Sequence, residues 1–405
     1  MSRSSPFTAL AAGLGLVGSL AVSLYGRSAA QEIAFSGKNI AQLEELTRKD
    51  SNEATLRYYL GLAYWSKSKF DQADSALRLA VQLNPRYAEA YLALAYLPYM
   101  RRPSLFTEEI KDRVPDKWMP KVEEANRFYQ RAFMINPLVS LQILSLAFPL
   151  DERGFRDYTS AESQMYELFV EGFVDLSKGR YATAYERLEK LARVVYDGEK
   201  HPDKVPNFIL WHRGLAAAHS LRYDAAIADY QALLDRAENK ERQDAFMRIP
   251  LRTNEYRFML ASLQRAVGRL DKAEERFKEA AANDLGLYMA HVYLAEIYQD
   301  QKRWADAVTE YQRAIATNPE DFSLHLDLGT LLFNLERTKE AEEPIRKAVA
   351  LSPRNALGHY LLGRIDEELG RPAEAKEQYL SFVALAPSGL GELVPDAQQR
   401  LTKLQ

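Results

Sequence analysis

The chain has no cysteine among its 405 residues. That excludes disulfides, cysteine-ligated metal, a thiol nucleophile and a lipid anchor built on cysteine. It has no Asn-x-Ser/Thr sequon either, and export without cysteine or sequons points to a bacterial envelope rather than a glycosylated secreted chain. Positive charge is not in excess: 53 Lys and Arg stand against 56 Asp and Glu, a formal net charge of −3. Nucleic acid demands clustered Lys and Arg, so no nucleic-acid partner is expected. Histidines number six, and His212 and His219 lie seven residues apart. On a helix that is about 10 Å, too far to share one metal, and no His-Glu-x-x-His occurs. No phosphate-binding loop is present. Gly13-Leu14-Gly15-Leu16-Val17-Gly18 spells a dinucleotide fingerprint but has no preceding strand. Ser66-Lys67-Ser68-Lys69 lacks the companion motifs of penicillin-binding enzymes. Adjacent acids such as Glu123-Glu124 and Glu367-Glu368 diverge on a helix and read as solvated faces. The expectation is no catalytic set, no metal and no cofactor.

What is present is periodicity. With 47% hydrophobic and 27% charged residues the chain can bury a continuous core. Over residues 254–389 a shift of 34 aligns Ala273, Ala307, Ala341 and Ala375. Seven places on come Ala280, Ala314 and Ala348, with Phe382 in the last copy. Four after the first set stand Phe277, Tyr311, Ile345 and Tyr379, and twelve before it Ala261, Ala295, Gly329 and Gly363. Pro319, Pro353 and Pro387 close three copies. Small residues allow two antiparallel helices to approach, so Gly329 is expected to face Ala341 and Ala348. Large residues such as Tyr298, Leu332 and Ile345 then fill the space between units.

This pattern resembles the tetratricopeptide repeat, a helix–turn–helix unit. The resemblance implies an all-α, right-handed α-solenoid of about eight repeats, each burying its apolar face on the next. Residues 1–30 read as an export segment: Arg3, an apolar stretch at 9–24, then small residues at Ser28-Ala29-Ala30 before Gln31. An uncleaved N-terminal membrane anchor is the other reading of the same stretch. Residues 31–53 hold an N-terminal helix. Residues 54–137 hold repeats one and two, with an insertion at 99–123 and Pro98 breaking the first helix of repeat two early. Residues 138–164 form an apolar linker, 165–240 repeats three and four, 241–253 an insertion and 254–389 repeats five to eight. Residues 390–405 form a cap helix. Pro344 falls inside a second helix and is expected to bend it or cost one hydrogen bond.

The resemblance also implies a binding wall, made by the first helix of each unit at its second, fifth, ninth, twelfth and thirteenth positions. In the N-terminal half these places hold Tyr58, Leu62, Trp65, Leu92, Tyr96 and Tyr99, then Tyr166, Phe169, Phe173, Phe208, Trp211, Leu215 and His219. In the regular half they hold Glu255, Phe258, Arg265, Glu296, Asp300, Ser323, Thr330, Tyr360, Arg364 and Glu367. The Lys, Asn and Arg set by which family members grip a C-terminal carboxylate is missing from repeats one and two. The expected function is therefore a non-catalytic scaffold holding an apolar or amphipathic protein segment, exported to the periplasm or cell envelope. The alternative is a carrier or sensor of an apolar small molecule or glycan. Whether the wall is open, covered by the insertion or the 138–150 run, or used for self-association is left open by the residues.

Overall fold

A computed structural model describes residues 35, 37–102, 104–105, 114–139, 164–238, 253–284 and 286–404. The expected export segment, most of the linker at 138–164 and nearly all of the insertion at 241–253 lie outside the described residues. Among those residues the regular structure is all helical. In order the α-helices are α1 (Ile40–Lys49), α2 (Ala54–Ser66), α3 (Phe70–Leu83), α4 (Ala88–Arg101), α5 (Met119–Ile135) and α6 (Gln164–Ser177). Then come α7 (Tyr181–Tyr196), α8 (Asn207–His219), α9 (Tyr223–Glu238), α10 (Thr253–Ala266), α11 (Leu270–Asn283) and α12 (Tyr288–Asp300). The last six are α13 (Trp304–Thr317), α14 (Phe322–Asn334), α15 (Thr338–Leu351), α16 (Ala356–Glu368), α17 (Pro372–Leu385) and α18 (Val394–Lys403). No described helix is long and apolar enough to cross a membrane. Contacts divide the chain into two units: residues 1–97 with 298–405, and residues 98–297.

One turn recurs seven times. The fifteenth position of a repeat adopts left-handed φ of 55–74° at Ser68, Gly179, Leu221, Gly268, Lys302, Glu336 and Gly370. The following residue's N–H donates back to position 11, as in Lys69 to Tyr64, Arg222 to Ala217 and Arg371 to Asp366, over 2.7–3.0 Å. Position 15 donates to position 12 over 2.8–3.1 Å. These two bonds make a Schellman motif, which satisfies carbonyls that the helix end leaves open. Position 16 is basic in all seven copies: Lys69, Arg180, Arg222, Arg269, Arg303, Arg337 and Arg371. The motif can lay this side chain over position 11. Arg180 pairs with Asp175 there, and Arg371 reaches Asp366 at 2.9 Å. Arg303 instead lies 4.0 Å from the Tyr298 ring centre, a cation–π contact.

The close approach within a repeat differs from the expected one. A Cβ on Gly329 would meet the Ile345 side chain at 2.5 Å, and one on Gly363 would meet Tyr379 at 2.8 Å. Gly61 faces Leu77, Gly172 faces Leu188 and Gly214 faces Tyr230 in the same way. The eighth position is therefore small to admit the large side chain at position 24 of its own repeat. Ile345 fills space inside its unit. Two proline expectations also resolve. Helix α4 continues through Pro98 to Arg101, at the cost of the one N–H bond that the proline ring removes. Helix α15 runs unbroken through buried Pro344, at the cost of the one bond its ring forbids.

In the 98–297 unit α6–α10 share a core that includes Leu188, Leu191, Tyr230, Met259 and Leu260, all fully buried. Each contributes about 1.5–3 kcal/mol by leaving water. The other unit joins two separated stretches of sequence. Asn52 donates to the Leu385 carbonyl at 2.8 Å, Arg354 to Asn52 at 3.0 Å, and the Ser388 N–H to Asp50 at 2.9 Å. Arg86 and Asp327 form an ion pair whose side chains are only 8% and 9% exposed.

Candidate functional site

In the 98–297 unit the wall is aromatic because α6 and α8 each present their fifth and neighbouring wall positions to the same side. The rings of Phe173 and Phe208 stack at 4.8 Å with 14° between planes, and Phe169 lies 4.9 Å from Phe173. His212 sits edge-on among Phe173, Phe208 and Trp211 at 4.3–4.7 Å. Its Nδ1 lies 2.7 Å from the Phe208 carbonyl. A carbonyl only accepts, so Nδ1 carries the proton. Burial pushes the ring's pKa down to about 4, against the opposing pull of that hydrogen bond. The ring is a neutral packing element at pH 7.

Phe208 and Trp211 are buried, whereas Phe169 and Phe173 are half-buried. Tyr166 belongs to α6, but its side chain lies outside the described residues. Tyr99, at the end of α4, is half-buried. The indole Nε1–H of Trp211 is buried without an acceptor, a cost of about 1–3 kcal/mol.

The end of α5 and the residues after it rest on this unit's first helices. Phe133 and Leu138 pack against the α6–α10 core. The His219 Nε2 donates to the Leu138 carbonyl at 2.8 Å, and Tyr181 stacks on the same imidazole at 4.3 Å. Burial lowers the His219 pKa and so favours the neutral ring, whose one proton sits on Nε2 to make this bond. The Tyr293 hydroxyl donates to the Ile135 carbonyl. The Arg131 guanidinium lies 4.7 Å from the Tyr288 ring centre. Arg265, a wall position, pairs with Glu296 on the next wall helix at 2.6 Å and covers the Tyr293 ring at 5.0 Å.

In the other unit, Tyr58 packs on Tyr87 at 4.9 Å and is buried with Trp65, while Leu62 and Tyr96 are half-buried. Trp65 Nε1, like that of Trp211, is buried without an acceptor. The polar wall positions here are occupied. Thr330 donates to Leu326 at 2.6 Å and Ser323 to Asp321 at 2.6 Å. Tyr360 donates to Asp396 of α18 at 2.7 Å, and Arg400 of α18 bonds Glu367 at 2.8 Å. Burial raises the Glu367 pKa, but hydrogen bonds from Arg400 and Tyr379 outweigh it and hold the carboxyl below its ordinary range.

Of the wall residues read from the sequence, the structure brings Phe169, Phe173, Phe208 and Trp211 into one cluster and leaves Tyr58 and Trp65 in another. The sequence reading missed the basic sixteenth position, although Lys or Arg in seven copies was there to be read. It also missed Arg86, Arg131, Tyr288 and Tyr293, for which no periodic signal exists. Among the described residues no group of three or more His, Asp or Glu has a metal-holding arrangement.

Tetratricopeptide-repeat family models match residues 54–87 and, in overlapping spans, 258–322, 294–356 and 326–389. No curated protein matches the chain. Among solved structures, a crystal structure of MamA aligns at 18% identity over 47% of this chain and 96% of its own, with a TM-score of 0.36. A MamA RS-1 ArsTM double mutant aligns at 16% identity over 44% and 93%, with a TM-score of 0.38. A thermophilic TPR protein of Thermus thermophilus aligns at 23% identity over 49% and 98%, with a TM-score of 0.31. The matched spans, the seven repeated turns and the eighth-position glycines together place this chain in the tetratricopeptide-repeat family.

Proposed function

We propose that this protein-interaction scaffold is exported to the cell envelope, has no catalytic activity of its own, and seats an apolar or amphipathic partner segment on its first-helix walls. The observation that carries the reading is the stacked wall of α6 and α8. There half-exposed Phe169 and Phe173 rest on a buried floor of Phe208, His212 and Trp211. An aromatic surface backed by a rigid floor presents contact area with little side-chain entropy left to lose. In the other unit Leu62 and Tyr96 are half-buried apolar members of the wall, and Tyr58 and Trp65 are buried. Association costs about 4–15 kcal/mol, and each aromatic returns about 1.5–3 kcal/mol, so binding needs several anchors together.

The test is a cross-linking pull-down from envelope extract with residues 31–405 as bait. A parallel bait carries Phe169→Ala and Phe173→Ala and is checked for fold by circular dichroism. Capture of one protein by the first bait and its loss from a folded second bait supports the reading. Equal capture by both sinks the wall as the site. Edman sequencing of the chain recovered from envelope is expected to start at Gln31; recovery only from cytoplasm overturns the export half. A lipid or glycan in native mass spectra of the purified chain would favour the carrier reading instead.

A further inference from the structure

Resting on that reading, we propose that the wall of α8 and α12 is a receptor for the C-terminal turn of an amphipathic helix, and that the end of the chain's own α5 with residues 136–139 occupies it as a displaceable stand-in, while buried Val122 and Ala125 hold the start of that helix in its repeat. The reason lies in what the wall bonds. Tyr293 and His219 donate to the main-chain carbonyls of Ile135 and Leu138, in the last turn of α5 and just beyond it. Carbonyls at a helix end have no partner within the helix. Any helix end placed there offers the same acceptors, whatever its side chains. The backbone uses its other carbonyls locally: Ala132 accepts from the Asn136 N–H and Asn136 from the Val139 N–H. What remains for the wall is what it takes.

Side chains add a pattern to this main-chain grip. Arg131 places a cation on the Tyr288 ring one turn before the helix end, and Phe133 and Leu138 pack against the apolar core. A partner helix should therefore carry a basic residue one turn before its end, an apolar residue two places on, and another just past its end. An internal occupant lowers a partner's apparent affinity in proportion to the fraction of time the seat is free. A tethered segment acts at an effective concentration of about millimolar.

The experiment uses the full chain and a fluorescein-labelled peptide of residues 119–139 as probe, followed by anisotropy, with a scrambled peptide as control. Arg131→Glu with Leu138→Ala weakens the internal occupant. The peptide is expected to bind this variant at least about tenfold more tightly than wild type, because its competitor is weakened. Adding Tyr293→Phe and His219→Ala should reverse the gain, since these remove the two donors. Arg131→Glu alone serves where the double variant loses its circular-dichroism signal. A folded variant that binds the peptide no better than wild type, or no better than the scrambled control, overturns the receptor. Wild-type capture of an envelope partner that the peptide does not displace leaves the scaffold reading standing while this inference falls. Capture of nothing by either bait, with tight peptide binding by the variant, has the opposite meaning.

Discussion

Repeats three and four, built from α6–α9, and repeats seven and eight, built from α14–α17, use the same turn but carry walls of opposite chemistry. In both, position 15 is left-handed, position 16 is basic and the eighth-position glycine admits a large side chain. On the wall, repeats three and four place Phe169, Phe173, Phe208 and Trp211 against one another. Repeats seven and eight place Tyr360 and Glu367 in bonds to Asp396 and Arg400, and beside the wall, at a sixth position, Asp327 pairs with Arg86. Positions that set the hairpin point between its two helices, and those that set the wall point away from them. The two sets can therefore vary independently, which is why a degenerate repeat keeps its geometry.

The largest way to break the comparison is to attack the ion pair beside the polar wall. Arg86→Ala strips its partner from nearly buried Asp327 and should cost about 3–5 kcal/mol in chemical denaturation. A joint Arg86→Met and Asp327→Leu variant should recover most of that loss, because two apolar groups have no charge to leave unpaired. The aromatic wall answers to acid instead. Unfolded histidine titrates near about 6.5, and His212 when folded at about 4. Between those values the unfolded chain takes up a proton that the folded ring refuses. The stability present above the unfolded pKa is therefore lost as pH falls through that window, by about 3 kcal/mol. His212→Phe should flatten that part of the urea-midpoint profile; an unchanged slope would assign the acid loss elsewhere.

Within the shared hairpin the effects are smaller. Gly329→Ala forces a Cβ to 2.5 Å from Ile345 and should cost about 2 kcal/mol. In Gly214→Ala the nearest contact is a milder 3.1 Å to Tyr230, and the helix preference for alanine, about 0.5–1 kcal/mol, offsets it. Similar losses at both sites would refute the packing argument. Smallest of all, Leu221 holds φ of 63° with its side chain exposed. Leu221→Gly should raise the thermal midpoint through a gain of about 1 kcal/mol, while Gly370→Leu should lower it by a similar amount.

These distinctions explain what could be read from the sequence. Ala273, Ala307, Ala341 and Ala375 recur because each hairpin must close, so the repeats announce themselves. The turn was half-hidden: Gly179, Gly268 and Gly370 signal a left-handed residue, but Ser68, Leu221, Lys302 and Glu336 fill the same place without that signal. The aromatic wall at Phe169–Trp211 was legible as a stripe on two helices. Its cover was not. The His219 bond to Leu138 spans 81 residues and that of Tyr293 to Ile135 spans 158, with neither periodicity nor motif to mark the pair. Nor could the spacing of small residues name the neighbour of Gly329. That neighbour is Ile345 rather than Ala341, because the larger side chain needs the room a missing Cβ leaves.

The bonds from Asp50 and Asn52 have a consequence in time. Their partners at Ser388 and Leu385 come 338 and 333 residues later in the chain. A ribosome working at about 5–20 residues per second needs roughly 15–70 s to cover that distance. For this interval Asp50 and Asn52 lack these partners, and for most of it Arg86 has not yet met Asp327. Here the first part made is the last to be finished, and whatever guards the nascent chain must hold its opening repeat until synthesis is almost done.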